Sequence, residues 1–486
     1  MPATPGSQAT PGPAEATDTT ADATRRYGSG AAILSVGIGI TGLVTYGYFA
    51  LASHTLSKEA YGGITLLWSA VFITVSVLYR PVEQLLSRTI AERRARNQDL
   101  GSALRVAGLI QLALGVLFAV VVLALKSAIT DELFGGRESL YWVLVGSVLA
   151  YAVSYYTRGL MAGHQRFGFY GLLVFLEATS RICFALVAAV GLVTGQTVVA
   201  LGVLAAPLFS LLVVPWALGR RARDADPQPP PVAEPEAAET EPATTAVPRE
   251  AEFTLANGSG FAVAVLAIMA SEQTFLNAGP LAIKASEGAA GVALAGFVFN
   301  ILLIARAPLQ LFQAIATSLL PHLTSLRSTG EESGEAAFRQ AVTVTLLAVA
   351  GFAGATALVM LAIGPTLMQA LFGDNFTYDR AGLVIIAGGM GLYLAAATIN
   401  QATLAQGRAR RAAVCWLGCA ALFVGWILVP VVDDPALRVE VGFTGAALVL
   451  VSLLGAVYAA PGDGPGMAPG SGEELEARLA AADEAM

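Results

Sequence analysis

Apolar residues in this chain come in long runs rather than in the alternation of half-buried strands or the narrow stripes of amphipathic helices. A helix that crosses the hydrocarbon core of a bilayer takes about 20 apolar residues. On that criterion twelve runs qualify: 31–51, 63–86, 104–125, 139–160, 169–193, 197–218, 255–277, 290–318, 338–363, 381–404, 411–431 and 440–460. The pattern predicts an all-α polytopic membrane protein with twelve transmembrane helices. One internal stretch breaks it. Residues 220–252 begin Arg220-Arg221-Ala222-Arg223, continue Pro227-Gln228-Pro229-Pro230-Pro231, and run on in Ala, Glu, Thr and Pro to Pro248. Such a composition cannot bury a core and reads as a disordered linker. It divides the chain into an N-terminal lobe, 31–219, and a C-terminal lobe, 253–460, with six spans each. Residues 1–30 and 461–486 read as tails.

Composition supports this partition. The chain is 55% hydrophobic and 13% charged, against about 25% charged for a soluble domain. The first apolar run is too long for the core of a cleavable signal peptide. Basic residues orient the spans. With the N-terminus in the cytoplasm and strict alternation, eighteen of the 28 basic residues fall inside, six fall in outside loops, and Arg80, Arg88, Arg181 and Arg306 lie within spans. The bias alternates loop by loop, which predicts a plasma-membrane protein with both termini cytoplasmic. Only three basic residues are lysines, so the intramembrane cations are arginines, which hold phosphate bidentately. Cys183, Cys415 and Cys419 all fall in apolar segments and imply no disulfide framework.

The charges inside spans narrow the functional reading, since each costs about 2.5–3.5 kcal/mol to insert. They require a protein interior or a wet cavity. The second span contains Arg80-Pro81-Val82-Glu83-Gln84-Leu85-Leu86-Ser87-Arg88. Arg80, Glu83 and Ser87 share a helix face; Pro81 is expected to kink the helix; Arg88 points to another surface. A related stretch, Arg306-Ala307-Pro308-Leu309-Gln310, lies in the second span of the other half, with Pro308 227 positions after Pro81. Short basic turns also match after the fourth span of each half, Gly163-His164-Gln165-Arg166 and Gln406-Gly407-Arg408. Six spans per half put both halves in the same orientation, which is a parallel repeat about an axis along the membrane normal, and transporters built this way bind substrate between the halves.

At these residues the chain resembles the multidrug/oligosaccharidyl-lipid/polysaccharide exporter superfamily, and within it the Wzx-type polysaccharide and O-antigen flippases. Glu59-Ala60-Tyr61-Gly62, Arg80-Pro81-Val82-Glu83-Gln84 and Ala162-Gly163-His164-Gln165-Arg166-Phe167 carry the resemblance, which covers about 28–460 without the linker. It implies two six-helix lobes around a central cavity that opens alternately to each side. It also implies a cargo, an undecaprenyl-diphosphate-linked oligosaccharide moved from the cytoplasmic to the outer leaflet. Membrane lipid and other polysaccharide-assembly proteins would be its partners; nothing points to nucleic acid. Lipid II flippases of the same superfamily carry two further spans, for which this chain has no room.

Arg80, Glu83, Arg306, Asn300 and Gln310 are the expected cavity residues. Glu272, Glu177 and Arg181 are candidates for ion coupling. Glu177 and Arg181 are i, i+4, which reads equally as a structural ion pair. Glu272 has no basic residue within a turn, so it must find a partner on another helix, take a proton or face water. No Walker loop, metal cluster or catalytic constellation is present in the sequence, so neither enzyme activity nor a cofactor is implied. The alternative within the superfamily is an ion-coupled multidrug exporter, whose cavity would be dominated by carboxylates and aromatics. A membrane glycosyltransferase or polymerase would need a bulky external loop with catalytic acids, and 364–380 is the longest outside loop expected here.

Overall fold

A computed structural model describes residues 39–96, 98–216, 255–306, 332–376 and 378–460. The predicted linker and both tails lie outside the described residues. No strand occurs among the described residues, and nine helices there are long and apolar enough to cross a membrane.

The N-terminal lobe comprises α1 (39–55), α2 (Lys58–Leu78), α3 (Arg80–Ala95), α4 (Gly101–Ala124), α5 (Glu138–Gly163), α6 (Phe167–Ala189) and α7 (Gln196–Ser210). The C-terminal lobe comprises α8 (Leu255–Glu287), α9 (Gly291–Ala305), α10 (Glu332–Phe372), α11 (Arg380–Ala405), α12 (Ala409–Leu428) and α13 (Pro435–Ala459). With α2 and α3 counted as one 37-residue run, Lys58–Arg94, these are twelve helices in two lobes.

The predicted kink falls at Tyr79, whose amide still donates to the Val75 carbonyl at 2.9 Å. Tyr79, with φ −109° and ψ −28°, ends α2, and α3 restarts with Pro81 in its first turn. There the missing proline N–H costs nothing, because first-turn donors have no helical partner. At 1.5 Å per residue the run is about 55 Å long, so its end, with Arg93 and Arg94 in the last turn, projects beyond the hydrocarbon core. The expected loop 364–380 is mostly helix. Although Pro365 lies within it, α10 continues to Phe372, a 3₁₀ turn occupies Asp374–Phe376, and Asp379 caps α11 by accepting from the Ala381 amide at 3.0 Å.

The repeat is visible in the backbone. The fourth span of each half, α5 and α11, packs against most other helices of its own lobe. Both end in the same cap. Gln165 (φ 57°) and Gly407 (φ 76°) are left-handed. The Arg166 amide donates to the Met161 carbonyl at 2.9 Å and the Arg408 amide to the Thr403 carbonyl at 3.0 Å. This six-to-one bond closes a Schellman motif and satisfies carbonyls that the helix end would leave bare. Gly407 adopts its φ without strain, whereas Gln165 adopts it as a non-glycine residue.

The lobes meet where α2 packs on α8 and α9. Gly62 and Gly296 let the backbones touch. A Cβ on Gly62 would overlap the Val292 carbonyl, and one on Gly296 would lie 2.9 Å from Tyr61 Cδ1. The Tyr61 hydroxyl donates across the junction to Asn300 Oδ1. Phe376 packs on Tyr61 with ring centroids 5.1 Å apart, and Phe49 on Phe299 at 4.5 Å. All of this lies toward the bundle end that carries Ser57, where the lobes are sealed.

Candidate functional site

Away from that seal, the kink at Tyr79 places Arg80 and Glu83 on the first turn of α3. A tight crossing holds α3 against α5. A Cβ on Gly159 would sit 2.9 Å from the Glu83 carbonyl oxygen, and one on Gly163 2.7 Å from Ile90 Cβ. Gly159→Leu is therefore expected to push α3 outward and carry Arg80 and Glu83 with it. Overpacking of this kind costs about 1–3 kcal/mol. Thermal unfolding of the variant in nanodiscs measures it, and an unchanged midpoint would contradict the tight crossing.

Arg80 is half-buried and makes no hydrogen bond or ion pair with any described residue. It lies in the electrostatic field of Glu83 in its own lobe and of Glu272 in the other. Glu83 is 9% exposed and accepts from the Tyr170 hydroxyl at 2.9 Å. Glu272 is half-buried on α8; its opposing charge is Arg80, a residue of the other lobe. Arg306 caps α9 and is 9% exposed; its Nε and Nη2 have no partner among the described residues. Its guanidinium carbon lies 5.9 Å from the Phe299 ring centroid. Arg80, Glu83, Glu272 and Arg306 are thus charged side chains that are buried or half-buried within the bundle, two in each lobe.

Three of the other expected residues stand elsewhere. Asn300 does not line a cavity: it is fully buried in the interlobe seal, its Oδ1 held by Tyr61. Glu177 and Arg181 do not pair with each other. Glu177, 3% exposed, is ion-paired with Arg158 of α5 and accepts from Ser154 Oγ at 2.7 Å. Arg181 turns to the Tyr151 hydroxyl at 3.0 Å and lies 5.2 Å from the Trp68 ring centroid. Same-helix spacing governs pairs on an exposed helix surface; inside a bundle, a neighbouring helix offers a better-aimed partner. Gln310 lies outside the described residues. Arg88, paired with Glu92 at 2.6 Å on the exposed face of α3, is outside the site, as its helical phase predicts.

Arg158, near the end of the fourth apolar run, counts among the eighteen inside basic residues in the charge-bias reading. Its side chain is in fact 11% exposed and lies over Tyr155, 4.6 Å from the ring centroid. The signal that finds it is the spacing of Ser147, Tyr151, Ser154 and Arg158, which puts four polar side chains on one face of α5. A second unforeseen ionisable residue, Glu440, is fully buried near the start of α13. It lies beside Tyr378, whose hydroxyl is pushed above its ordinary range by burial and then by Glu440. No group of three or more His, Cys, Asp or Glu that could hold a metal ion occurs among the described residues.

The described residues thus form two six-helix lobes with buried and half-buried arginines in both. No family model matches the chain, and no curated protein matches it in sequence. Solved structures do match in fold. An inward-facing multidrug resistance MATE family transporter of the MOP superfamily superposes with a TM-score of 0.57 at 15% identity, covering 88% of this chain and 98% of that one. A mutant of the Vibrio cholerae MATE transporter VcmN gives 0.54 at 15% identity, covering 89% and 97%. A eukaryotic MATE transporter, AtDTX14, gives 0.54 at 12% identity, covering 89% and 95%. The chain thus has the fold of the MATE transporters of the MOP superfamily.

Proposed function

We propose that this chain is a secondary transporter that flips a polyprenyl-diphosphate-linked oligosaccharide from the cytoplasmic to the outer leaflet by alternating access, for cell-surface polysaccharide assembly. It sits in the plasma membrane with both termini cytoplasmic, so the sealed Ser57 end is the outer one. The observation that carries this reading is the pair of guanidiniums, Arg80 in one lobe and Arg306 in the other, neither ion-paired among the described residues. Neither is held by an ion pair there, and a diphosphate bridging the lobes would engage both with bidentate geometry. The polyprenyl tail would stay in lipid while the head group crosses.

Arg80→Gln and Arg306→Gln are each expected to lower transport by about tenfold or more, since removing a charge-assisted contact costs about 1.5–3 kcal/mol. Lysine should rescue only in part, because it cannot bind bidentately. The assay is complementation of a deletion strain that accumulates lipid-linked glycan on its cytoplasmic leaflet; no accumulation on deletion would end the flippase reading. Multidrug export is the second reading. It is favoured by Glu272, a half-buried carboxylate on α8, and by the fold neighbours described as multidrug transporters. Proton-driven uptake of an organic cation by vesicles, abolished by Glu272→Gln, would establish it.

A further inference from the structure

Glu440, in the second turn of α13, is fully buried, and neither of its carboxylate oxygens has a hydrogen-bond partner among the described residues. It sits at a close crossing of α11 and α13. Gly382 and Gly389 lie two turns apart on one face of α11; opposite them stand Glu440 and Thr444, one turn apart on α13. A Cβ on Gly382 would lie 2.6 and 2.8 Å from the two Glu440 oxygens and would overlap the Tyr378 ring, and a Cβ on Gly389 would overlap Thr444 Oγ1. The Thr444 hydroxyl donates across the crossing to the Ile385 carbonyl at 3.1 Å. The carboxylate is therefore packed between the Tyr378 ring and the bare backbone of the first turn of α11.

No described cation answers it. Arg438, on the preceding turn, is taken by Glu287 of α8 at 3.0 Å and by the Val432 and Ile427 carbonyls. Lys284 of α8 makes no hydrogen bond to it, and Arg380 at the start of α11 is exposed. The helix caps on either side, Asp379 of α11 and Asp434 of α13, are acidic. No ionisable side chain comes from α9, and those of α12 lie in its first half, away from the start of α13. A carboxylate so placed, without water or counter-charge, binds a proton. The crossing also touches the interlobe seal. Tyr378 packs on Phe297 of α9 with centroids 5.3 Å apart, and Phe376, just before it, packs on Tyr61 of the other lobe at 5.1 Å. We infer that Glu440 is a proton-binding site that latches the outer seal. The crossing at Gly382 closes over the neutral acid; a carboxylate there draws in water, parts the start of α11 from α13 and lifts Phe376 off Tyr61. The proton enters from the outer aqueous phase, converts the carboxylate to the acid, and leaves to the same side when the crossing opens. The closed state thus holds one proton more than the open state and gains as pH falls. For one proton the closed-to-open ratio changes by up to about tenfold per pH unit. Of the proposed function this takes only alternating access and the outward placing of the Ser57 end, and it holds for either cargo.

The test reads the seal in the full-length chain in lipid nanodiscs, with spin labels at His54 and Asp374 and with Cys183, Cys415 and Cys419 replaced by alanine. Both labelled positions are exposed, and His54 lies against the Gly373 turn across the junction. Labelling also removes both side chains as titrating groups. The distance is expected to be short in acid and to lengthen in alkaline buffer, the ratio of short to long populations falling about tenfold or more. Glu440→Gln keeps the shape of the neutral acid and should hold the short distance in both buffers. Gly382→Ala crowds the carboxylate and should give the long distance in both. In the unlabelled chain, infrared difference spectra between the two buffers should contain a carboxylic-acid carbonyl band that Glu440→Gln removes, which a merely structural glutamate would not give. A wild-type distance that ignores pH, or a pH response that persists in Glu440→Gln, overturns the inference. So does a distance that follows sodium: replacing sodium by choline at fixed pH should change nothing. No cargo is present in these measurements, so their failure leaves the flippase reading to its own test in the deletion strain.

Discussion

Gly62→Ala is expected to stop the lobes from closing at the Ser57 end and to abolish transport. A single methyl suffices, because a Cβ at this position overlaps the Val292 carbonyl, a backbone atom of α9 that cannot rotate away. Relief requires α2 and α9 to separate. Overpacking a close contact costs about 1–3 kcal/mol, and 1.4 kcal/mol already shifts a two-state equilibrium tenfold. Separation also breaks the Tyr61–Asn300 hydrogen bond and the Tyr61–Phe376 ring contact, so the closed state loses more than the clash alone. Spin labels at His54 and Asp374 report the change: both positions are exposed, and His54 lies against the Gly373 turn across the junction. A lengthened distance in Gly62→Ala, with protein still in the membrane, is the expected result. An unchanged distance with normal transport would mean that the α2–α9 contact is not the gate. The gate and the site are separate, since the seal lies toward Ser57 and the arginines below it. A variant locked open should therefore still bind anion.

Arg158→Ala is expected to destabilise the chain by about 3–5 kcal/mol, the range for removing one partner of a buried ion pair. Glu177 would be left 3% exposed with only the Ser154 hydroxyl at 2.7 Å. Arg158→Gln/Glu177→Gln should recover most of that loss, because no charge remains to be desolvated. Arg181→Ala provides the contrast. Arg181 contributes a hydrogen bond to Tyr151 and a contact over Trp68, so its loss should cost about 1–3 kcal/mol and should be insensitive to Glu177→Gln. If the helical i, i+4 pair were the real one, the two results would exchange: Arg181→Ala would be severe and Glu177-dependent, and Arg158→Ala mild. Unfolding midpoints of the four variants in nanodiscs decide between these outcomes.

Much of the architecture is legible in the residue pattern. Hydrocarbon admits backbone only as a helix or a closed barrel, so long apolar runs imply helices whatever their neighbours do. The repeat shows in the matched turns at Gly163–Arg166 and Gln406–Arg408, because a Schellman cap is a local structure set by the few residues that build it. The charges at Arg80, Glu83, Glu272 and Arg306 are legible for a related reason: charge inside hydrocarbon is expensive enough to need an explanation wherever it occurs. Asn300 was misread because a buried amide serves a helix–helix seal as readily as a wet wall. Arg158 is not legible from its apolar run, which does not show that the helix faces a polar interior at its last turns.

The sequence by itself determined which segments cross the membrane, that the two halves repeat, and which residues carry charge at depth. These follow from the cost of exposing backbone or charge to lipid, which each segment meets alone. Only the tertiary structure decided which charge answers which. Glu177 takes Arg158 rather than Arg181, and Glu83 takes the Tyr170 hydroxyl rather than Arg80. Pairing depends on distances between helices, and those are set by packing at points such as Gly159 against Glu83 and Gly62 against Val292, contacts between residues far apart in the chain.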